Sequence, residues 1–84
     1  MDNYIITFRS ITPAQRGEAL LHHAGFLCNL QRTPRWMEAQ GCGYSLLVKS
    51  KHIADIIDLM RNKKVQFRKV YRKHEDGTTE EMRL

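Results

Sequence analysis

Apolar and polar residues follow two different periods along the chain, and these periods predict two kinds of element. Four short runs predict strands over residues 4–8, 26–31, 44–49 and 65–71, and the first of these runs consists of β-branched and aromatic residues. Between the last two runs, apolar residues recur every three and four positions, which is the period of a helix with one buried face. The apolar face of this helix consists of Ile53, Ile56, Ile57 and Met60.

Residues that favour helix ends mark a further helix near the N-terminus. Thr12-Pro13-Ala14-Gln15 combines a capping hydroxyl, a proline suited to the first helical position and a glutamine that completes a capping box. We therefore expect a helix over residues 13–24, ended by Gly25. Ser50 is the expected cap of the later helix.

The resulting order of elements is βαββαβ, which is the order of the ferredoxin-like fold. The sequence thus predicts an α+β protein, with a four-stranded antiparallel sheet and both helices on one face. We expect one such domain over residues 1–72. Residues 73–84 carry several acids and no apolar periodicity, so we expect a flexible acidic tail there.

Alternation along the strands also predicts which residues leave the core. If Ile6 and Leu46 face the helices, then Ile5, Leu47 and Val70 lie on the open face of the sheet. They would form a small apolar patch with a basic rim. Such a patch would suit a homodimer or a regulatory domain, so the sequence leaves the oligomeric state open.

Size and composition narrow the functional classes. At 84 residues the chain has little room for a deep enclosed pocket. It has no run of about 20 apolar residues, and its first residues lack the features of a signal peptide, so we expect a cytoplasmic protein without a membrane anchor. In a reducing compartment its two cysteines are expected to be free thiols. No spacing of His and Cys predicts a metal site.

The two cysteines lie in contrasting surroundings. Gly41-Cys42-Gly43 places a thiol between two residues without side chains, so reagents and partner proteins could approach the sulfur closely. Cys28 lies within the apolar run Phe26 to Leu30, which is typical of a structural cysteine. If Arg32 pairs with Tyr44 across the hairpin, Cys28 lies about 15 Å from the loop of Cys42, too far for a disulfide.

The topology also predicts a positive environment for Cys42. In a βαββαβ sheet, the loop between the second and third strands lies at the same end as the start of the first helix and the turn before the last strand. The groups expected there are the turn Arg9-Ser10-Ile11-Thr12, the free N–H groups of the helix start, Arg32, Arg35, Lys63 and Lys64. Such surroundings favour the nucleophilic thiolate over the thiol.

Parts of the chain resemble a known bacterial family. Tyr4 to Phe8, the segment Leu30 to Arg35 and the segment Gly41 to Leu46 are similar to the family described as putative selenium/sulfur carrier protein-like. The resemblance covers residues 3–72, and Thr33-Pro34-Arg35 followed by Cys42-Gly43 is its most specific part. Arg32 is a departure, because a proline is expected before the Thr-Pro-Arg run.

The resemblance implies a carrier of a persulfide or selenopersulfide rather than a metabolic enzyme. Cys42 would carry the sulfur, and Arg35 with the N–H of Gly43 would stabilise it as an anion. Thr33 and Pro34 would fix the path of the loop. The implied partners are proteins that donate and accept sulfur or selenium, and no metal or organic cofactor is needed. A redox or regulatory thiol module is a close variant.

The basic residues near the C-terminus allow other interpretations. Lys63, Lys64, Lys69 and Arg72 could receive an acidic donor or acceptor protein, or could simply be solvated. A nucleic-acid-binding module is the main alternative, because the RNA recognition motif shares the βαββαβ order. Its stacking aromatics are missing after Tyr44, so we expect only weak, nonspecific binding of nucleic acid.

Overall fold

The computed structural model describes residues 3–33 and 43–82. Within these ranges the order of elements is βαββαβ followed by one more strand. The elements are β1 (Asn3–Phe8), α1 (Ile11–His23), β2 (Cys28–Arg32), β3 (Tyr44–Lys49), α2 (Ile53–Asn62), β4 (Val70–Lys73) and β5 (Thr79–Met82). The predicted α+β class and the order of the first six elements are confirmed.

The strands form one antiparallel sheet in the order β2-β3-β1-β4-β5. Cys28 lies opposite Val48 and Arg32 lies opposite Tyr44, as expected from the hairpin. This register follows from the alternation of buried and exposed residues, because a slip by one position would turn every core side chain to the other face.

Residues from both helices pack against one face of the sheet. Ile6, Phe8 and Leu46 are fully buried there, in the same cluster as residues of α1 and α2. Gly17 lets α1 approach this cluster: a β-carbon built at this position would lie 3.1 Å from Met60 Cε and 3.2 Å from Leu46 Cδ1. Neither α1 nor α2, the helices of the described ranges, has the length and apolar character needed to cross a membrane.

The last predicted strand differs from the structure. Residues 65–69 are not part of a regular strand, and β4 begins only at Val70. Arg68 and Lys69 both lie opposite Thr7: the N–H of Arg68 donates to the carbonyl of Thr7 (2.8 Å), and the N–H of Lys69 donates to its hydroxyl (3.0 Å). Two residues opposite one is the pattern of a β-bulge.

Because of the bulge, the predicted position of Val70 on the open face is wrong. Val70 lies opposite Ile6 and is buried in the core, whereas the alternation predicted it on the open face. Val65 is also a core residue. In a continuous strand, two valines that are five positions apart would lie on opposite faces. The extra residue at the bulge removes this conflict.

The sheet has five strands, so the predicted number of four is wrong. The fifth strand, β5, pairs with β4 and lies within the segment for which a flexible tail was expected. Its connection is a tight turn: Gly77 has φ +90, and Asp76 Oδ1 accepts hydrogen bonds from the N–H and hydroxyl of Thr78. Glu81 of β5 forms an ion pair with Lys69, which lies just before β4, and hydropathy does not reveal this pairing.

The helix ends agree only in part with the prediction. α1 begins at Ile11 after Ser10, so Thr12 is inside the helix, and Ser10 makes no side-chain capping bond. Gly25 follows the helix with φ +90 as expected, in a Schellman motif where the N–H of Phe26 donates to the carbonyl of Leu21 (2.9 Å).

α2 begins after His52 and ends before a non-glycine residue in the left-handed conformation. Ser50 accepts a hydrogen bond from the N–H of His52 (3.0 Å) rather than capping the helix itself. At the other end, the N–H of Val65 donates to the carbonyl of Met60 (2.9 Å), again a Schellman motif. The residue in the left-handed position is Lys64, with φ +58.

Candidate functional site

The β2–β3 connection begins and ends at two paired residues. The N–H of Thr33 donates to the carbonyl of Gly43 (3.0 Å), which extends the hairpin one step beyond the pair Arg32 and Tyr44. The guanidinium of Arg32 lies over the ring of Tyr44, 5.8 Å from its centroid. The other residues predicted for this loop lie outside the described residues: Pro34, Arg35, Gly41 and Cys42.

Two buried hydroxyl groups lie at the base of this loop. Thr33 is 8% exposed and Ser45 is fully buried, yet neither hydroxyl oxygen has a hydrogen-bond partner within the described part of the chain. Thr33 was predicted to cap a turn, and Ser45 was not singled out from the sequence. Burial without a partner is costly for a hydroxyl, so each of these two groups is still available for a hydrogen bond.

The loop base and the start of α1 lie at the same end of the sheet, as predicted. Phe8, the last residue of β1, pairs with Tyr44, the first residue of β3. The turn that leads into α1 therefore lies next to Gly43. α1 has no acid in its first turn and no side-chain cap on its first N–H groups. This end of the helix therefore carries a partial positive charge.

An open cleft of about 500 Å³ lies beside the start of α1. Its walls come from the turn after β1, the first two turns of α1 and the segment before β4. The residues with side-chain charges or hydroxyls are Arg9, Ser10, Thr12, Arg16, Lys64 and Arg68. The turn from Arg9 to Thr12 was predicted near this end, as was Lys64; Arg16 was not chosen as a site residue. Thr12 and Arg16 are four positions apart on one face of α1, which was the available signal.

The four cations predicted as a partner surface are not brought together. Lys64 lines the cleft and Lys63 lies in the adjacent turn. Lys69 pairs with Glu81 across the sheet edge, with 3.2 Å between Nζ and Oε1, and this contact raises the pKa of Lys69. Arg72 lies opposite Glu80, which is the neighbour of Glu81 in β5. Adjacent residues of a strand lie on opposite faces, so Arg72 lies on the other face of the sheet from the pair Lys69 and Glu81.

Cys28 has the properties of a structural cysteine. It is 6% exposed, and its Sγ lies 4.0 Å from the backbone carbonyl of Glu18. Burial, with a smaller contribution from the negative charge of Glu18, raises the pKa of the Cys28 thiol to about 11. A thiol of such a high pKa is almost entirely protonated at neutral pH and is therefore a poor nucleophile.

A comparison with known families gives the clearest functional information. The family model described as putative Se/S carrier protein-like matches residues 3–72. The chain belongs to this family. The resemblance predicted from the sequence motifs is thus confirmed, and the membership covers β1 to β4 but not β5. No curated protein and no solved structure matches the chain.

Membership of the putative Se/S carrier protein-like family directs attention to the thiols of the chain. The sequence contains two cysteines, and the structure assigns Cys28 to the core. Among the described residues, no group of three or more His, Cys, Asp or Glu side chains could hold a metal ion.

Proposed function

We propose that this chain carries sulfur or selenium as a persulfide or selenopersulfide on Cys42. The observation that carries the proposal is the burial of Cys28, because a carrier family needs an accessible thiol and the chain has only one other cysteine. The loop that contains Cys42 also ends next to the turn that leads into the positive end of α1. Nearby positive charge favours the thiolate form of a cysteine.

The transfer is an exchange at sulfur that needs no outside oxidant or reductant. The Cys42 thiolate attacks the outer sulfur of a donor protein's persulfide. The new S–S bond forms on Cys42 while the donor's S–S bond breaks, and the donor cysteine leaves as a thiolate that takes up a proton. A nucleophile of the acceptor protein then attacks the outer sulfur on Cys42 and regenerates the thiolate. The selenium reaction has the same balance.

Other residues would support this step. Arg35 is proposed as a charge partner of the sulfur anion, and Thr33 with Pro34 as the residues that hold the loop path. Gly41 and Gly43 leave the sulfur accessible. The partners would be a donor and an acceptor protein in the cytoplasm. A homodimer stays a hypothesis, but the apolar patch predicted for it is reduced, because Ile5 is buried and Val70 belongs to the core.

The open face of the sheet argues against the alternative of sequence-specific RNA binding. The central strands β1 and β3 expose no aromatic residue there: the positions are held by Ile5 and Thr7 on one strand and by Ser45 and Leu47 on the other. Ile5, Thr7 and Ser45 are also buried. An RNA recognition motif stacks bases on aromatic side chains at such positions, so the surface lacks the necessary platform.

Sulfur loading tests the proposed function directly. The protein is incubated with a cysteine desulfurase and cysteine, and separately with glutathione persulfide, which removes the need for a matching donor protein. Intact mass under nonreducing conditions should show the gain of one sulfur atom. The Cys42→Ser variant should gain none, because the remaining thiol is buried and protonated.

Cys28→Ala is the matched control, since it removes the other thiol without leaving a polar group in the core. It should load sulfur as the unchanged protein does. Circular dichroism verifies that both variants are folded. Sulfur gain in folded Cys42→Ser protein, or the absence of any gain with both donors, would contradict the proposal.

A further inference from the structure

We propose that the open cleft at the start of α1 binds the phosphoryl group of a small phosphorylated molecule. The cleft is defined above by its volume of about 500 Å³ and by its cationic walls. This volume lies within the range of small-molecule sites. The proposal does not depend on the carrier function.

The charge of the cleft comes from separate segments that converge on one hollow. Arg9 belongs to the turn after β1, Arg16 to the second turn of α1, and Lys64 to the turn after α2. Among residues 3–33 and 43–82, no carboxylate forms an ion pair with any of these three side chains. The lining residues include no acid. Three uncompensated cations around one space strongly favour an anion.

The hydrogen-bond donors favour a phosphoryl group over a carboxylate. Ser10 and Thr12 bring hydroxyls to the cleft, and the first N–H groups of α1 have no side-chain cap. Together with two guanidinium groups, these donors surround the cleft from several directions. A tetrahedral dianion with three terminal oxygens can use such a set, whereas a planar carboxylate has only two oxygens.

The same cleft has walls for the organic part of a ligand. The half-buried ring of Phe67 lines it, beside the amide of Gln66. The cations form a compact group rather than a stripe along the surface, and the open face of the sheet has no base-stacking platform on its central strands. These features favour a small phosphate monoester over a nucleic acid strand.

Binding is tested on the full-length reduced protein with phenyl phosphate as the probe. Titration followed by amide chemical shifts should give saturable binding, with the largest changes in residues 9–16 and 64–68. Benzoate, which has the same ring but a carboxylate, should bind much more weakly. Affinity should fall as pH drops below about 6, where the dianion of a phosphate monoester takes up a proton and loses one negative charge.

Arg16→Gln and Arg9→Gln should each weaken phenyl phosphate binding about tenfold or more, because each removes a charged hydrogen-bond donor. Lys51→Gln is the matched control: it removes one positive charge from the connection between β3 and α2, at the other end of the sheet, and should leave binding unchanged. An equal loss in all three variants would show general charge attraction and overturn the site. So would benzoate binding of equal strength, the absence of saturable binding, or tighter binding of a short RNA.

Discussion

The buried thiol of Cys28 allows a quantitative test of the structure. Its pKa of about 11 in the folded protein compares with 9.0 for an unperturbed thiol. At pH 7 the thiolate fraction is therefore about 1 in 10,000, against about 1 in 100 for the unperturbed group. We expect a thiol reagent such as iodoacetamide to modify Cys28 about 100-fold more slowly than an exposed cysteine, even before burial itself blocks access.

The same shift makes stability depend on pH. The folded-state pKa is raised, so the contribution of the protonated thiol is fully present below pH 9 and is lost as pH rises towards 11. Two pKa units correspond to about 3 kcal/mol, a large part of the 5–15 kcal/mol typical of a domain. Ionisation of Cys28 should therefore destabilise the folded state markedly in alkaline solution.

Two variants isolate this effect from other groups that titrate in the same range. Both carry Cys42→Ser, and one also carries Cys28→Ala. Urea unfolding is measured with a reductant between pH 7 and 11. The advantage in stability of the chain that keeps Cys28 should shrink by about 2 kcal/mol over this range, because at pH 11 only half of the folded-state thiol has ionised. Two results would show that Cys28 is not buried in the folded protein: a stability advantage that stays constant with pH, or alkylation of Cys28 in the folded protein as fast as in urea.

Two further predictions concern backbone conformation and packing. Lys64→Gly should raise the unfolding free energy by about 1 kcal/mol and the melting temperature by about 5 °C, because φ +58 disfavours residues with a β-carbon. The control Lys63→Gly should lower both quantities, because Lys63 has φ −92. Equal effects of the two substitutions on stability would contradict the left-handed conformation of Lys64. Gly17→Ala should destabilise by about 1–2 kcal/mol despite its better helix propensity, since the new methyl group would lie 3.1–3.2 Å from three core side chains. The control Ala19→Gly, on the exposed face of α1, measures the difference in helix propensity between alanine and glycine alone. If Gly17→Ala stabilised the protein, the core side chains around Gly17 would have moved to make room for the methyl group, which would contradict the prediction.

The elements with local signals could be predicted from the sequence. Short apolar runs located β1 and β3, and Gly25 marked the end of α1 because only a residue without a β-carbon easily takes the left-handed conformation there. The hairpin register of Cys28 with Val48 followed from alternation, since a one-residue slip would expose the core. These features depend on residues close together in the sequence.

The features that only the tertiary structure decided depend on residues far apart in the chain. The bulge near Lys69 is held by the hydroxyl of Thr7, 62 positions away, and it turns Val70 into the core. β5 pairs its backbone with β4, packs Met82 against the core and places Glu81 beside Lys69, so a strand without apolar alternation is still held at the sheet edge. Arg9 and Lys64 likewise line one cleft only once the chain has folded. No local pattern encodes such pairings, because their energy arises from contacts that exist only in the folded chain.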